Sequence, residues 1–293
     1  MIQYEKGSAN RLGDRNKNED RGLFMEKDGA LLLIVADGMG GHEGGELASQ
    51  EVVNCYQENF EEQNIPIHDP PKFLEMVMRE AHYNLSRIGS NEDPPFYPRT
   101  TCVACLIQGN EAYWAHLGDS RLYLLREGEI ITRTRDHTYI EELFQNQVIS
   151  EEEMLSHPMR NYVTYCLGGP NELPPVSIGH EILAAGDLIL LCSDGLWGAL
   201  NVEDIEKLNG LPLNTAVNRL AEQAEQISHP RSDNITAVGI RIESLDASQD
   251  GSIASVRETV GQNPGISPRP PVSRVVSFLR RALGVSKAEA KSK

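Results

Sequence analysis

Four aspartates in this 293-residue chain share one placement relative to the apolar runs beside them. Asp37 follows the run LLLIVA (31–36), and Asp194 follows LILLC (188–192) after a single serine. Asp119 sits in a Gly-Asp-Ser turn between two short apolar stretches, and Asp233 stands just before a stretch starting at Ile235. Apolar runs of this length predict buried strands. If those strands belong to packed sheets, their ends can meet at one edge and gather the four carboxylates. Carboxylates so gathered repel one another unless positive charge lies between them. Hard oxygen donors, with no His or Cys converging on them, favour Mg2+ or Mn2+ over zinc.

Two further segments could serve that chemistry. Residues 37–45 read DGMGGHEGG, directly after a predicted buried strand. Glycine lets a backbone approach a ligand closely, so the carbonyl of Gly38 could join Asp37 on a metal; a plain tight turn is the alternative. Residues 15–20 read RNKNED. The planar fork of Arg15 matches phosphate oxygens, and Glu19 and Asp20 could orient metal-held water. A solvated charged loop would look the same.

The elements that must position these residues are mixed. Residues 101–108, 111–117 and 121–125 read as three short strands in a meander, and 235–242 as another strand. Helical periodicity runs through Leu74, Val77, Met78, Ala81, Leu85 and Ile88, and again through Val217, Leu220, Ala221, Ala224 and Ile227. Ser150 and Glu153 form a capping box before a short helix. Strands and helices in blocks, rather than strict alternation, predict an α+β fold with antiparallel sheets. Cys102 and Cys105 lie three apart in a predicted strand, which sends them to opposite faces as buried thiols rather than a metal or redox pair.

Composition bounds the setting. The formal net charge is −16, against the basic surface of a nucleic-acid binder. Five scattered cysteines, a polar start and no apolar run near 20 residues predict a cytoplasmic protein. Residues 1–243 read as one catalytic-sized domain, 244–271 as a Ser/Gly/Pro-rich linker and 272–293 as a basic amphipathic or disordered tail. From 244 onward there are eight Lys/Arg and four Asp/Glu, and before it 19 against 39, so a segment of net +4 follows a domain of net −20. Such a tail could rest on the inner face of an anionic membrane or on a protein partner.

Taken in order, the motifs resemble one family. GDRNKNEDR (13–21), VADGMGGHEGGELAS (35–49), TTCVACLI (100–107), AHLGDSRLYLLREGEI (115–130), DHTYIEEL (136–143), HPMRNYVTYCLGG (157–169), LLCSDGLWGAL (190–200) and DNITAVGI (233–240) look like the bacterial metal-dependent protein phosphatases of the 2C family. The resemblance covers nearly all of 1–243. It implies two packed antiparallel β-sheets flanked by helix pairs, an α-β-β-α sandwich, acting as a monomer on phosphoserine and phosphothreonine proteins, the products of serine/threonine kinases. It implies two core Mn2+ or Mg2+ ions, with room for a third. Asp37 would bridge the pair with the Gly38 carbonyl on one ion, Asp194 and Asp233 would hold the other, and Asp119 would serve the third. Arg15 would bind substrate phosphate, Glu19 and Asp20 would act through water, and 137–176 would form a flap beside the site.

Two departures stand out. Met39 replaces a histidine that many eukaryotic members carry as a candidate general acid, while His42 matches a histidine of the bacterial relatives. Tyr165 stands where the flap motif often has Arg. The alternatives are a catalytically inactive binding module, a phosphatase narrowed to one small regulatory partner, and a structural calcium-binding protein, although the dispersed aspartates lack EF-hand ligand spacing.

Overall fold

The computed structural model describes residues 2–39, 44–90, 96–208 and 210–245. The tail at 272–293 and nearly all of the expected linker lie outside the described residues. Among the described residues twelve strands form two sheets. The five-stranded sheet has the order β1 (Gln3–Arg11), β12 (Ile235–Ser244), β11 (Leu188–Cys192), β7 (Arg121–Arg126), β8 (Glu129–Arg133). The seven-stranded sheet runs β10 (Ser177–Ile182), β6 (Glu111–Leu117), β5 (Cys102–Gln108), β3 (Ala30–Met39), β4 (Arg99–Thr100), β9 (Leu167–Gly168), with β2 (Asp20–Lys27) also paired to β3. Strand neighbours in both sheets pair antiparallel.

The unbroken apolar character of β3 follows from burial on both faces. Leu31, Leu33 and Val35 meet Leu122, Ile189, Leu191 and Val238 between the sheets. Leu32 and Ile34 face the other way, into a cluster with Tyr56 and Phe60 of α1 (Gly44–Glu62) and Leu74 and Met78 of α2 (Pro70–Ser90). Each such leucine contributes about 1.5–3 kcal/mol by leaving water. A third cluster joins Leu125, Leu188 and Leu190 to Val217 and Ala221 of α7 (Leu213–Ser228). The layers are therefore helices, sheet, sheet and helix, the α+β sandwich expected. On the five-stranded side, among the described residues, α7 is accompanied by the short α5 (Asp194–Trp197) and α6 (Val202–Glu206) rather than by a second long helix.

Four details differ from the sequence expectations. The charged segment read as a loop ends in strand β2 at Asp20, and β1 precedes it. The meander is split: β5 and β6 lie in one sheet and β7 in the other, so the chain crosses between sheets at Gly118–Ser120. Ile227 is exposed, because the last turn of α7 continues its periodicity past the apolar cluster. The glycine-rich segment does not turn at Gly38; β3 continues through Asp37 and Gly38 to Met39. The capping box of Ser150 and Glu153 starts α4 (Glu151–Ser156), and Cys102 and Cys105 are buried free thiols in different clusters.

Candidate active site

Asp20 pairs with Asp37 in the β2–β3 register, and Gly38 pairs with Thr100 of β4. Asp37 is held by its backbone: its N–H donates to Thr101 Oγ1 at 3.0 Å, while its carbonyl accepts from Thr101 N–H and Thr100 Oγ1, both at 2.9 Å. Thr101 Oγ1 also lies 2.7 Å from Ser120 Oγ, tying Asp37 to the crossover that carries Asp119. Gly38 has no space for a side chain. A Cβ there would stand 2.1 Å from the Gly45 carbonyl oxygen and 2.7 Å from that of Glu19, so only glycine lets β3, α1 and the 12–19 loop meet.

The other aspartates arrive from the opposite sheet. Asp194 opens α5 one residue, Ser193, after β11, and Asp233 stands two residues before β12. Ser193 donates to Asp20 Oδ2 at 2.6 Å and accepts from Thr236 N–H at 2.9 Å, joining the sheets beneath the site. Asn234 fixes the approach to β2: it accepts from Glu19 N–H at 2.8 Å and donates to the carbonyls of Leu12 at 2.8 Å and Lys17 at 3.0 Å. Arg15, on that loop and more than half exposed, donates to Asp233 Oδ2 at 2.6 Å. Sequence reasoning missed Thr100, Thr101, Ser193 and Asn234. Ser193 and Asn234 directly adjoin the aspartates in sequence, which was the one signal available.

Asp119 is buried, and its carbonyl accepts from Trp197 Nε1 at 2.9 Å. The Arg121 guanidinium lies 3.4 Å over the Trp197 ring and forms a bidentate pair with buried Asp136, at 2.8 and 2.6 Å. Burial pushes Asp136 up, but Arg121 more than offsets it, and the carboxyl is held below its ordinary value. Residues 137–176, expected to form the flap, follow this anchor and carry α3 (Tyr139–Gln145), α4 and β9. His42 lies outside the described residues.

Electrostatically the carboxylates are in conflict. Burial, with Asp20, Asp194, Asp119 and Asp233 adding repulsion, pushes Asp37 well above the usual carboxylate range. Burial and then the charges of Asp194 and Asp136 raise Asp119 likewise, against Arg121. Burial and Asp233 push Asp194 up to about 6. Burial, supported by Asp194 and Asp233 and opposed by the Ser193 hydroxyl, pushes Asp20 up to about 7. Asp20 Oδ1 is also buried without a hydrogen-bond partner. Among the described residues no three His, Cys, Asp or Glu side chains converge into a ready-made metal cage. The oxygen-only donors, their mutual repulsion and the orphaned Asp20 oxygen nonetheless suit hard divalent cations.

A model of the family described as protein phosphatase 2C matches residues 9–234. The chain belongs to the protein phosphatase 2C family. It is 35% identical over 237 residues to the serine/threonine protein phosphatase PstP of Mycobacterium tuberculosis, an alignment covering 78% of this chain and 45% of PstP. The chain thus spans less than half the length of that curated relative. It is 30% identical over 251 residues to the serine/threonine phosphatase stp of Listeria monocytogenes, covering 82% of this chain and 95% of the relative. The crystal structure of the PstP catalytic domain in complex with two manganese ions superposes with a TM-score of 0.71 at 30% identity, covering 83% of this chain and all of that one. The bacterial protein phosphatase 2C sandwich accounts for the two antiparallel sheets and their flanking helices. Among the described residues no helix is long and apolar enough to cross a membrane.

Proposed function

We propose that this protein phosphatase 2C member removes phosphate from phosphoserine and phosphothreonine in proteins, using two Mn2+ or Mg2+ ions and a third more weakly held. In this reading Asp37 and the Gly38 carbonyl, with Asp194 and Asp233, hold the core pair, and Asp119 serves the third ion. When bound, the cations neutralise the phosphate charge and lower the pKa of water so that hydroxide forms near neutral pH. The observation that carries this reading is the set of aspartates brought from both sheets to one edge, among which burial and neighbouring carboxylates push Asp20, Asp37, Asp119 and Asp194 above the ordinary carboxylate value.

The chain's own residues supply the rest. Thr100 and Thr101 fix the Asp37 backbone, so its carboxylate meets the site without reorganising. Asp20, with one oxygen bound to Ser193 and the other free, can accept a proton or orient a water, and Glu19 stands beside it in sequence. Arg15 can leave Asp233 for the substrate phosphate, because its guanidinium is exposed and its fork matches two phosphate oxygens. His42, or a water beside Asp119, is the candidate donor to the departing alkoxide. Phosphorylated proteins are the substrates this site fits, and the catalytic domain is assigned to residues 1–243 acting as a monomer in the cytoplasm. Hydrolysis of p-nitrophenyl phosphate and of a phosphothreonine peptide tests the reading. Activity should require Mn2+ or Mg2+ and vanish in EDTA, whereas activity indifferent to chelation would overturn it.

A further inference from the structure

At the rim of the site stands a cation that the mechanism above does not use. Arg99 begins β4, a two-residue strand paired on both sides: Arg99 opposes Met39 of β3 and Gly168 of β9. Its neighbour Thr100 is bonded to the Asp37 carbonyl. The Arg99 backbone is therefore fixed one residue from the centre of the site, while its side chain is exposed. Among the described residues nothing forms a hydrogen bond or ion pair with its guanidinium.

The path of that side chain is built by glycine. Gly168 and Gly169 both adopt positive φ, +84° and +85°. A Cβ on Gly168 would lie 2.0 Å from the Pro98 carbonyl oxygen, and one on Gly169 would lie 3.3 Å from Arg99 Nε. The guanidinium thus passes over Gly169, where the flap rejoins the sheet. Burial pushes up the thiol of Cys166, two residues before Gly168, and the Arg99 charge opposes that. Phe96 and Tyr97, just before Arg99, are part-exposed aromatics on the same approach, and the Phe96 ring comes close to Gly44 at the start of α1.

An exposed guanidinium held on a rigid strand, on a domain with a net charge of −20, is a local exception to the surrounding field. We propose that Arg99 reads a second negative charge on the substrate, a phosphate or carboxylate on a residue near the one being dephosphorylated. Its fork matches either group with two parallel hydrogen bonds. The strand pairing on both sides removes much of the ordering cost that a loop arginine would carry. Phosphate and carboxylate share this chemistry. Arg15, bonded to Asp233, serves the reacting phosphate; Arg99, beyond Thr100, serves the neighbour. This inference rests on the phosphatase reading and adds a substrate preference to it.

The test compares three phosphothreonine peptides on the full chain with Mn2+. One has neutral neighbours, one carries a second phosphothreonine and one an aspartate, each scanned through the nearby positions. Wild type should favour an anionic neighbour over the neutral peptide by about tenfold in kcat/KM, mainly through KM. Arg99→Ala should bring that ratio close to one. Arg99→Lys should keep part of it, because the charge survives and the fork does not. A preference for the second phosphate alone assigns the site to phosphate, and equal preference assigns it to either anion. A ratio unchanged in Arg99→Ala, or a wild type that hydrolyses all three peptides equally, would overturn the role of Arg99 and leave the phosphatase reading intact. Failure of wild type on every peptide would remove both.

Discussion

Asp20→Asn should stabilise the metal-free protein while impairing its activity. Asp20 is 1% exposed, with one oxygen taking the Ser193 hydroxyl and the other unpartnered. Its carboxyl is pushed from 3.8 up to about 7 by burial and by neighbouring aspartates. A carboxyl whose folded pKa is raised favours folding in its protonated form. That contribution is complete below about pH 4 and is lost as the pH rises through about 7. Three pKa units correspond to about 4 kcal/mol. Burial is the largest cause, and a buried asparagine amide keeps part of that cost, so the substitution should recover about half, roughly 2 kcal/mol. Asparagine keeps the size and can accept the Ser193 hydrogen bond without the charge. In EDTA at pH 8 the variant should melt roughly 4–8 °C above wild type, at 2–4 °C per kcal/mol for a domain of this size. Near pH 4.5 the difference should shrink towards zero. His116 and His137, whose pKa values burial lowers, titrate in both proteins and cancel in the comparison. Differential scanning fluorimetry across pH measures this directly. A variant no more stable than wild type at pH 8, or a difference that does not vary with pH, would refute the argument that the site stores unpaired negative charge.

The remaining predictions concern the support of the site. Asp136→Asn leaves the buried Arg121 guanidinium without its counter-charge and should cost about 3–5 kcal/mol, read as a drop in Tm of about 10 °C. Because Asp136 is held below 3.8, wild type should lose the same contribution only as the pH falls below about 4, and thermal melts of both proteins in acid would check it. Asp119→Ala should leave two Mn2+ ions bound by calorimetry but lower kcat by about a hundredfold or more; loss of all metal binding would move Asp119 into the core pair.

The sequence made the interior strands legible because β3 and β11 are apolar on both faces, and it made α2 and α7 legible by their period. It hid β1, an edge strand in which only Gly7 and Ala9 are buried, so its residues read as polar loop. No local pattern states which sheet a strand joins, and so β7 looked like the third strand of a meander although it belongs opposite β6. At the site, the aspartates were legible because they sit at the ends of apolar runs. Thr100, Thr101, Ser193 and Asn234 were not, because each acts through a hydrogen bond to a segment distant in sequence. Arg99 carried no signal at all: its interest comes from the pairing of β4 with β9 and from the two glycines that let its side chain pass.

The central claim is that the aspartates at the sheet edge hold cations for phosphate-ester hydrolysis. Asp37 lies at its centre, with its backbone fixed by two threonines and its carboxylate facing aspartates from both sheets. The decisive measurement is kcat/KM for a phosphothreonine peptide in saturating Mn2+, for wild type and for the nearly isosteric Asp37→Asn, with circular dichroism to establish that both are folded. A folded variant whose kcat/KM is lower by about a thousandfold or more is the predicted result. A folded Asp37→Asn with near wild-type turnover would contradict the account.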